Sequence, residues 1–192
     1  MLKMISPHRA ERILGRYADW LEELSARYDI PSALLRAVLY KEMTEIDLLD
    51  FAADLIVSAG CFHKKDSSTG YGQVFGATGV KALDFAVDRG LTSYQAFGLP
   101  EGRRLDPENI SDVRTVWKLM HRDPKVNMEL CALTLLCAAE EMTGRIDFSG
   151  YTEDELKLIL TRYNADVRHI TPYGEAVYTL YQSFSKGLEM EI

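Results

Sequence analysis

The chain has 192 residues, of which 47% are hydrophobic and 27% charged, and its net charge is −7. A chain of this length fits about one domain, here residues 1–192, and buries roughly 70% of its unfolded surface without a metal or disulfide staple. The apolar share excludes disordered and low-complexity classes, and the acidic balance argues against nucleic acid or anionic membrane as a partner.

Ser6-Pro7 has the form of an N-cap followed by a first-turn proline. Ile13, Leu14, Tyr17, Leu21, Leu24 and Tyr28 then recur at helical spacing, which predicts one helix over about 6–28. A second helix starts at Pro31, with Leu34, Leu35, Val38 and Leu39 on its apolar side, and a third is expected over about 46–59. From Gly60 the periodicity breaks, and Gly70, Gly72, Gly76 and Gly79 indicate loop or short irregular strand before a helix near 80–89. Residues 90–111, rich in Gly and Pro, read as a long surface excursion, and 112–121 as a short helix. Asp123-Pro124 opens another helix. Its run from Val126 to Met142 is apolar nearly all round, so it should be central and buried, with Leu133 and Leu136 in the core. Thr152 and Glu155 fit a capping box for a helix to about Tyr163. Thr171-Pro172 starts the last helix, with Val177, Leu180, Tyr181 and Phe184 facing inward. The expected fold is therefore mostly α: seven to eight helices and a small irregular Gly-rich segment.

Cys61, Cys131 and Cys137 form no CxxC, and the four histidines lack ligand spacing. No metal, cofactor or disulfide framework is expected, and the thiols fit a reducing compartment. The first residues contain no apolar run suited to a signal-peptide core, and no stretch approaches the ~20 apolar residues of a membrane span. A soluble chain, cytoplasmic as written and without stable membrane insertion, is expected.

Three groups of residues could carry chemistry. Glu42 falls on the stripe of Leu35, Val38 and Leu39. A carboxyl at the end of an apolar face has a raised pKa and can act as a general acid; equally, the pattern suits a surface Glu at a helix C-terminus. In Ser68-Thr69-Gly70-Tyr71-Gly72-Gln73 the glycines permit positive φ or close backbone approach. Gln73 there can both donate and accept, and Tyr71 offers a flat face of the kind sugar rings stack on; an ordinary tight turn has the same composition. Tyr163-Asn164-Ala165-Asp166 closes a helix and, alone, is unremarkable.

Taken in order, these segments resemble the lysozyme-like superfamily, most closely the catalytic domain of soluble lytic transglycosylases. The helix of residues 30–42 is similar to the family's helix ending in a catalytic Glu. Gly70-Tyr71-Gly72-Gln73, with Thr78 following, is similar to its Gly-x-x-Gln turn. Asp123-Pro124-Lys125-Val126-Asn127 matches its Asp-Pro-x-x-Asn motif, and Tyr163-Asn164-Ala165 matches three of the four positions of Tyr-Asn-Ala-Gly. The motifs span about residues 30–182. The resemblance implies a lysozyme-like domain with the Gly-rich segment beside a cleft, and cleavage of the MurNAc-β-1,4-GlcNAc bond of peptidoglycan glycan strands. Glu42 would be the catalytic acid, and Ser68, Gly70, Tyr71, Gly72, Gln73, Asn127, Tyr163 and Asn164 would bind substrate. An enzyme of this kind would reach the cell wall by release or another export route.

The chain departs from the family at Met43, where a Ser is usual, and at Asp166, where the last Gly of the fourth motif stands. The segments 43–67 and 90–122 are longer than usual. A hydrolase of the goose-type lysozyme or phage-endolysin kind would need a second carboxylate. Those lysozymes commonly carry an Asp just after the Gly-x-x-Gln turn, where this chain has Val74-Phe75. Asp66 is the fallback second acid; Asp47, Asp50 and Asp54 share one helix face, which reads as solvated. A non-catalytic glycan-binding domain on the same scaffold is the alternative of a different class.

Overall fold

A computed structural model describes residues 4–46 and 67–187. The expected third helix over 46–59, with Asp47, Asp50 and Asp54, therefore lies outside the described residues, as do Cys61 and Asp66. Among the described residues the chain forms eight α-helices and one two-stranded hairpin. In chain order these are α1 (Pro7–Arg16), α2 (Ala18–Tyr28), α3 (Ser32–Glu45), β1 (Ser68–Thr69), β2 (Val74–Phe75), α4 (Gly76–Asp88), α5 (Ile110–Arg122), α6 (Pro124–Thr143), α7 (Glu153–Asn164) and α8 (Pro172–Ser185). The mostly helical class expected from periodicity is what the structure has.

The hub is α6. Twelve of its 20 residues are buried, Leu133 and Leu136 among them, because α2, α3, α4, α5 and α7 all pack on it. Its ends follow from local chemistry. The Asp123 side chain accepts the Lys125 N–H (2.8 Å) ahead of Pro124, and Gly144 closes the helix at φ 73°. Helix α3 lies between the N-terminal pair and α8, with Leu34, Leu35, Val38 and Leu39 all buried. The capping box of α7 forms as expected, with Thr152 and Glu155 bonding reciprocally. Where α8 crosses α7, Gly174 is required: a Cβ there would stand 2.3 Å from Thr161 Oγ1 and 2.4 Å from the Lys157 carbonyl. One cluster of buried side chains draws on every helix.

Four expectations are corrected. The single helix over 6–28 is two helices. Tyr17 sits between them at φ −105°, ψ 16°; Gly15 weakens the helix just before it, and the Tyr17 ring packs against Tyr71 at 6.3 Å. Helix α4 begins at Gly76, not near residue 80, because β2 delivers the chain straight into it. The 90–111 segment is not merely surface. Tyr94, Phe97, Leu99 and Leu105 are buried, and the Tyr94 hydroxyl donates to Asp84 while Arg104 bonds Asp84 (3.3 Å) and Asp88 (2.7 Å). Helix α5 starts at Ile110, with the Asn109 side chain accepting the Ser111 N–H. On α8 the inward face is as expected: Val177 is buried, as is Gly174, and Leu180, Tyr181 and Phe184 pack half-buried against the core.

Candidate active site

The hairpin forms one wall of a cleft of about 310 Å³ that also takes residues from α3, α4, α6 and α7. Ser68 pairs with Phe75 and Thr69 with Val74, leaving Gly70–Gln73 as the turn. The turn needs two residues at positive φ, Gly70 at 71° and Gln73 at 45°. Gln73 tolerates this unusual conformation because its side chain is tied down. Its Nε2 donates to the Gly70 carbonyl (2.8 Å) and its Oε1 accepts from the Ser68 hydroxyl (3.0 Å).

Beneath the turn lies Asn127, fully buried on α6. Its Oδ1 accepts the Gly72 N–H (2.7 Å) and its Nδ2 donates to the Thr69 carbonyl (2.8 Å). Both glycines are required for this approach. A Cβ at Gly70 would come within 2.4 Å of the Asn127 side chain, and one at Gly72 within 2.9 Å of Cys131 Cβ. From α7 the Tyr163 hydroxyl donates to the Gly72 carbonyl (2.5 Å). Segments 31 and 121 residues from Glu42 thus meet at one turn.

Glu42 is 8% exposed, at the last full turn of α3, and lines the cleft. The Tyr173 hydroxyl, from the first turn of α8, donates to its Oε1. Burial pushes the Tyr173 phenol well above its ordinary pKa, and the charge of Glu42 and the hydrogen bond to it add to the effect. Burial, followed by the proximity of Cys131 and Glu42, does the same to Tyr163. Cys131 is pushed up to about 12, again chiefly by burial, with the Tyr163 hydrogen bond opposing and Glu42 reinforcing. Around Glu42 these three groups are neutral O–H and S–H at physiological pH. Tyr173 is therefore a standing proton donor to one oxygen of the carboxylate, which fixes the orientation of Glu42.

Of the residues expected to act together, Glu42, Gln73, Tyr163 and Asn164 line this cleft. The others do not. Asn127 has no exposed surface and can only brace the turn. Gly70 and Gly72 contribute backbone to that brace, and Ser68 is engaged with Gln73. Tyr71 packs on Tyr17 and does not line the cleft. Met43 is fully buried and points into the core. Asp66 lies outside the described residues. Sequence reasoning missed Tyr173, for which the signal was only a Tyr after the Thr171-Pro172 helix start. It also missed Lys81, Cys137 and Glu141, which reach the cleft by helical spacing from Thr78 and Thr134. Glu141 and Asp166, the other carboxylates along the described lining, both pair with Arg162, at 2.6 Å and 3.6 Å. The described residues contain no His, Cys, Asp and Glu cluster that could hold a metal, and no helix long and apolar enough to cross a membrane. Scans against protein-family models, curated proteins and solved structures return no match.

Proposed function

We propose that the cleft is a glycosidase site of the lysozyme-like kind, and that the protein is a lytic transglycosylase acting on peptidoglycan glycan strands. The carrying observation is a nearly buried carboxyl, Glu42, oriented by Tyr173 in a cleft that Gln73 of the braced hairpin turn also lines. The motif order supplies the substrate class, and the geometry supports a single-acid mechanism.

In that mechanism protonated Glu42 donates to the glycosidic oxygen as the C1–O bond of the muramoyl residue breaks. The resulting carboxylate then takes the proton of the same sugar's 6-hydroxyl, whose oxygen bonds to C1. The product is a 1,6-anhydro sugar, and Glu42 ends protonated again with no water consumed. Tyr173, held as a phenol, stabilises the carboxylate stage by donating to Oε1 and keeps the other oxygen's geometry constant between the two proton transfers. Gln73, rigid at positive φ, presents the turn to the sugar.

A hydrolase needs a second carboxylate to direct water. Among the described residues the remaining lining carboxylates are occupied by Arg162, which favours the single-acid reading; Asp66 is the residue that would carry the hydrolytic alternative. Mass spectrometry of muropeptides released by wild type and Glu42→Gln tests this. Anhydro products that vanish in the variant support the proposal. Reducing-end products together with an inactive Asp66→Asn move the protein to the lysozyme class. Binding without any product makes it a glycan-binding domain.

A further inference from the structure

A second hollow of about 800 Å³ adjoins the cleft and shares Lys81, Cys137 and Glu141 with it. The two form one groove along α4 and α6, with Glu42 in one half and the pinned 104–107 segment bounding the other. The charges along this groove are nearly all spent. Arg89 bonds Glu140, Arg104 bonds Asp84 and Asp88, and Arg162 bonds Glu141 and Asp166. Lys81 differs: it is exposed at the junction of the two halves and, among the described residues, has no carboxylate within 4 Å of its ammonium. It follows Thr78 by three residues, on the face that α4 turns to the cleft.

Resting on the glycan reading above, we propose that Lys81 is a specificity-determining residue that takes a carboxylate on a side branch of the substrate. The second hollow houses that branch while the glycan backbone lies across Glu42 and Gln73. Carboxylates outnumber cations in the hollow, so its general field does not attract anions. Recognition is by direct contact with the Lys81 ammonium, a charge-assisted hydrogen bond. The branch chemistry that fits is a short acidic or zwitterionic peptide. An uncharged branch would leave Lys81 with nothing but water.

The test is binding of full-length wild type and Lys81→Gln to soluble peptide-bearing glycan strands, before and after their carboxyl groups are converted to amides. Glu42→Gln is added to both proteins so that the strands stay intact. For the wild-type Lys81 background, amidation should weaken binding about 5- to 30-fold. For Lys81→Gln, binding to intact strands should fall by a similar factor and amidation should change nothing further, as expected when both changes remove the same contact. An amidation effect that persists undiminished in Lys81→Gln overturns the proposal, as does wild-type binding indifferent to amidation; either result leaves the glycan reading standing. If neither strand binds, the glycan reading and the role of Lys81 fall together.

Discussion

Asn127 offers the sharpest test of how the cleft wall is held. Truncation to alanine removes an acceptor from the Gly72 N–H and a donor from the Thr69 carbonyl, both at a site with no solvent access. A buried N–H left unsatisfied costs about 1–3 kcal/mol, and loss of an ordinary buried hydrogen bond about 0.5–1.5 kcal/mol. The sum, about 2–4 kcal/mol, is a large part of the roughly 5–15 kcal/mol that stabilises a domain. With a urea slope of about 2 kcal/mol/M, the unfolding midpoint should drop by about 1–2 M. Asn127→Asp sharpens the test. It keeps the acceptor for Gly72 but turns a carboxylate oxygen toward the Thr69 carbonyl. That position favours the protonated acid, which can donate there as the amide did. Relative to wild type at the same pH, the aspartate variant should therefore be strongly destabilised near pH 7 and recover as pH falls. If Asn127→Ala shifts the midpoint by less than about 0.25 M, or if the aspartate variant shows no relative recovery in acid, Asn127 is not the brace described here.

Further outcomes follow from the same geometry. Glu42→Gln keeps the size of the side chain but cannot supply a proton, so cleavage should fall by about 10²–10⁴ while the melting temperature stays near wild type; an active Glu42→Gln would remove the mechanism. Tyr173→Phe keeps the ring on α8 and removes the donor to Glu42, so the pH–rate profile should move while glycan affinity holds, and an unmoved profile would show that Tyr173 does not position the acid. Leu133 has no exposed surface, and Leu133→Ala should cost about 2–5 kcal/mol by denaturant titration. Cys131, at about 12, is roughly a thousandfold less thiolate at pH 8 than a thiol at its ordinary 9.0. Peptide-resolved alkylation of the native protein should leave it unmodified until global unfolding. Arg103 holds the Asp112 carboxyl below the usual range. The stability this pair contributes should be present above the ordinary carboxyl pKa near 4 and be lost as pH falls through the lowered folded value, and Arg103→Ala should flatten that acid limb in pH-dependent melting.

What the sequence made legible divides along a physical line. Helices whose signals are local and redundant were readable. Helix α6 carries a cap, a first-turn proline, an apolar run and a closing glycine, and each acts within a few residues of itself. The capping box of α7 is of the same kind. The break at Tyr17 was not readable, because Gly15 only permits it and the Tyr71 ring that occupies the space arrives from another part of the chain. The 90–111 segment was misjudged for a related reason. Gly and Pro describe its backbone, whereas its order comes from Tyr94, Arg103 and Arg104 meeting Asp84, Asp88 and Asp112 on two different helices.

The same line separates the site residues. Glu42 was visible as a carboxyl at the end of an apolar stripe, a property of one helix. Asn127 was visible as a motif residue, but motif matching cannot distinguish a side chain that touches a ligand from one that holds the turn that does. Burial decides that, and burial depends on what α4, α5 and the hairpin lay over α6. Lys81 carries no local mark, and Tyr173 only its place after the Thr171-Pro172 helix start. A tyrosine in the first turn of an amphipathic helix becomes Glu42's donor only because α8 crosses α3 closely, which Gly174 permits by letting α8 approach α7. Bulk at that glycine should therefore act at a distance. Gly174→Ala pushes α8 away from Thr161 and the Lys157 carbonyl, and the displaced helix carries Tyr173 with it. The expected result is a destabilised protein whose residual folded fraction has the altered pH–rate profile of Tyr173→Phe, measured at a temperature where both variants remain folded. A Gly174→Ala protein that loses stability but keeps the wild-type profile would show that the α7–α8 contact and the orientation of Glu42 are independent.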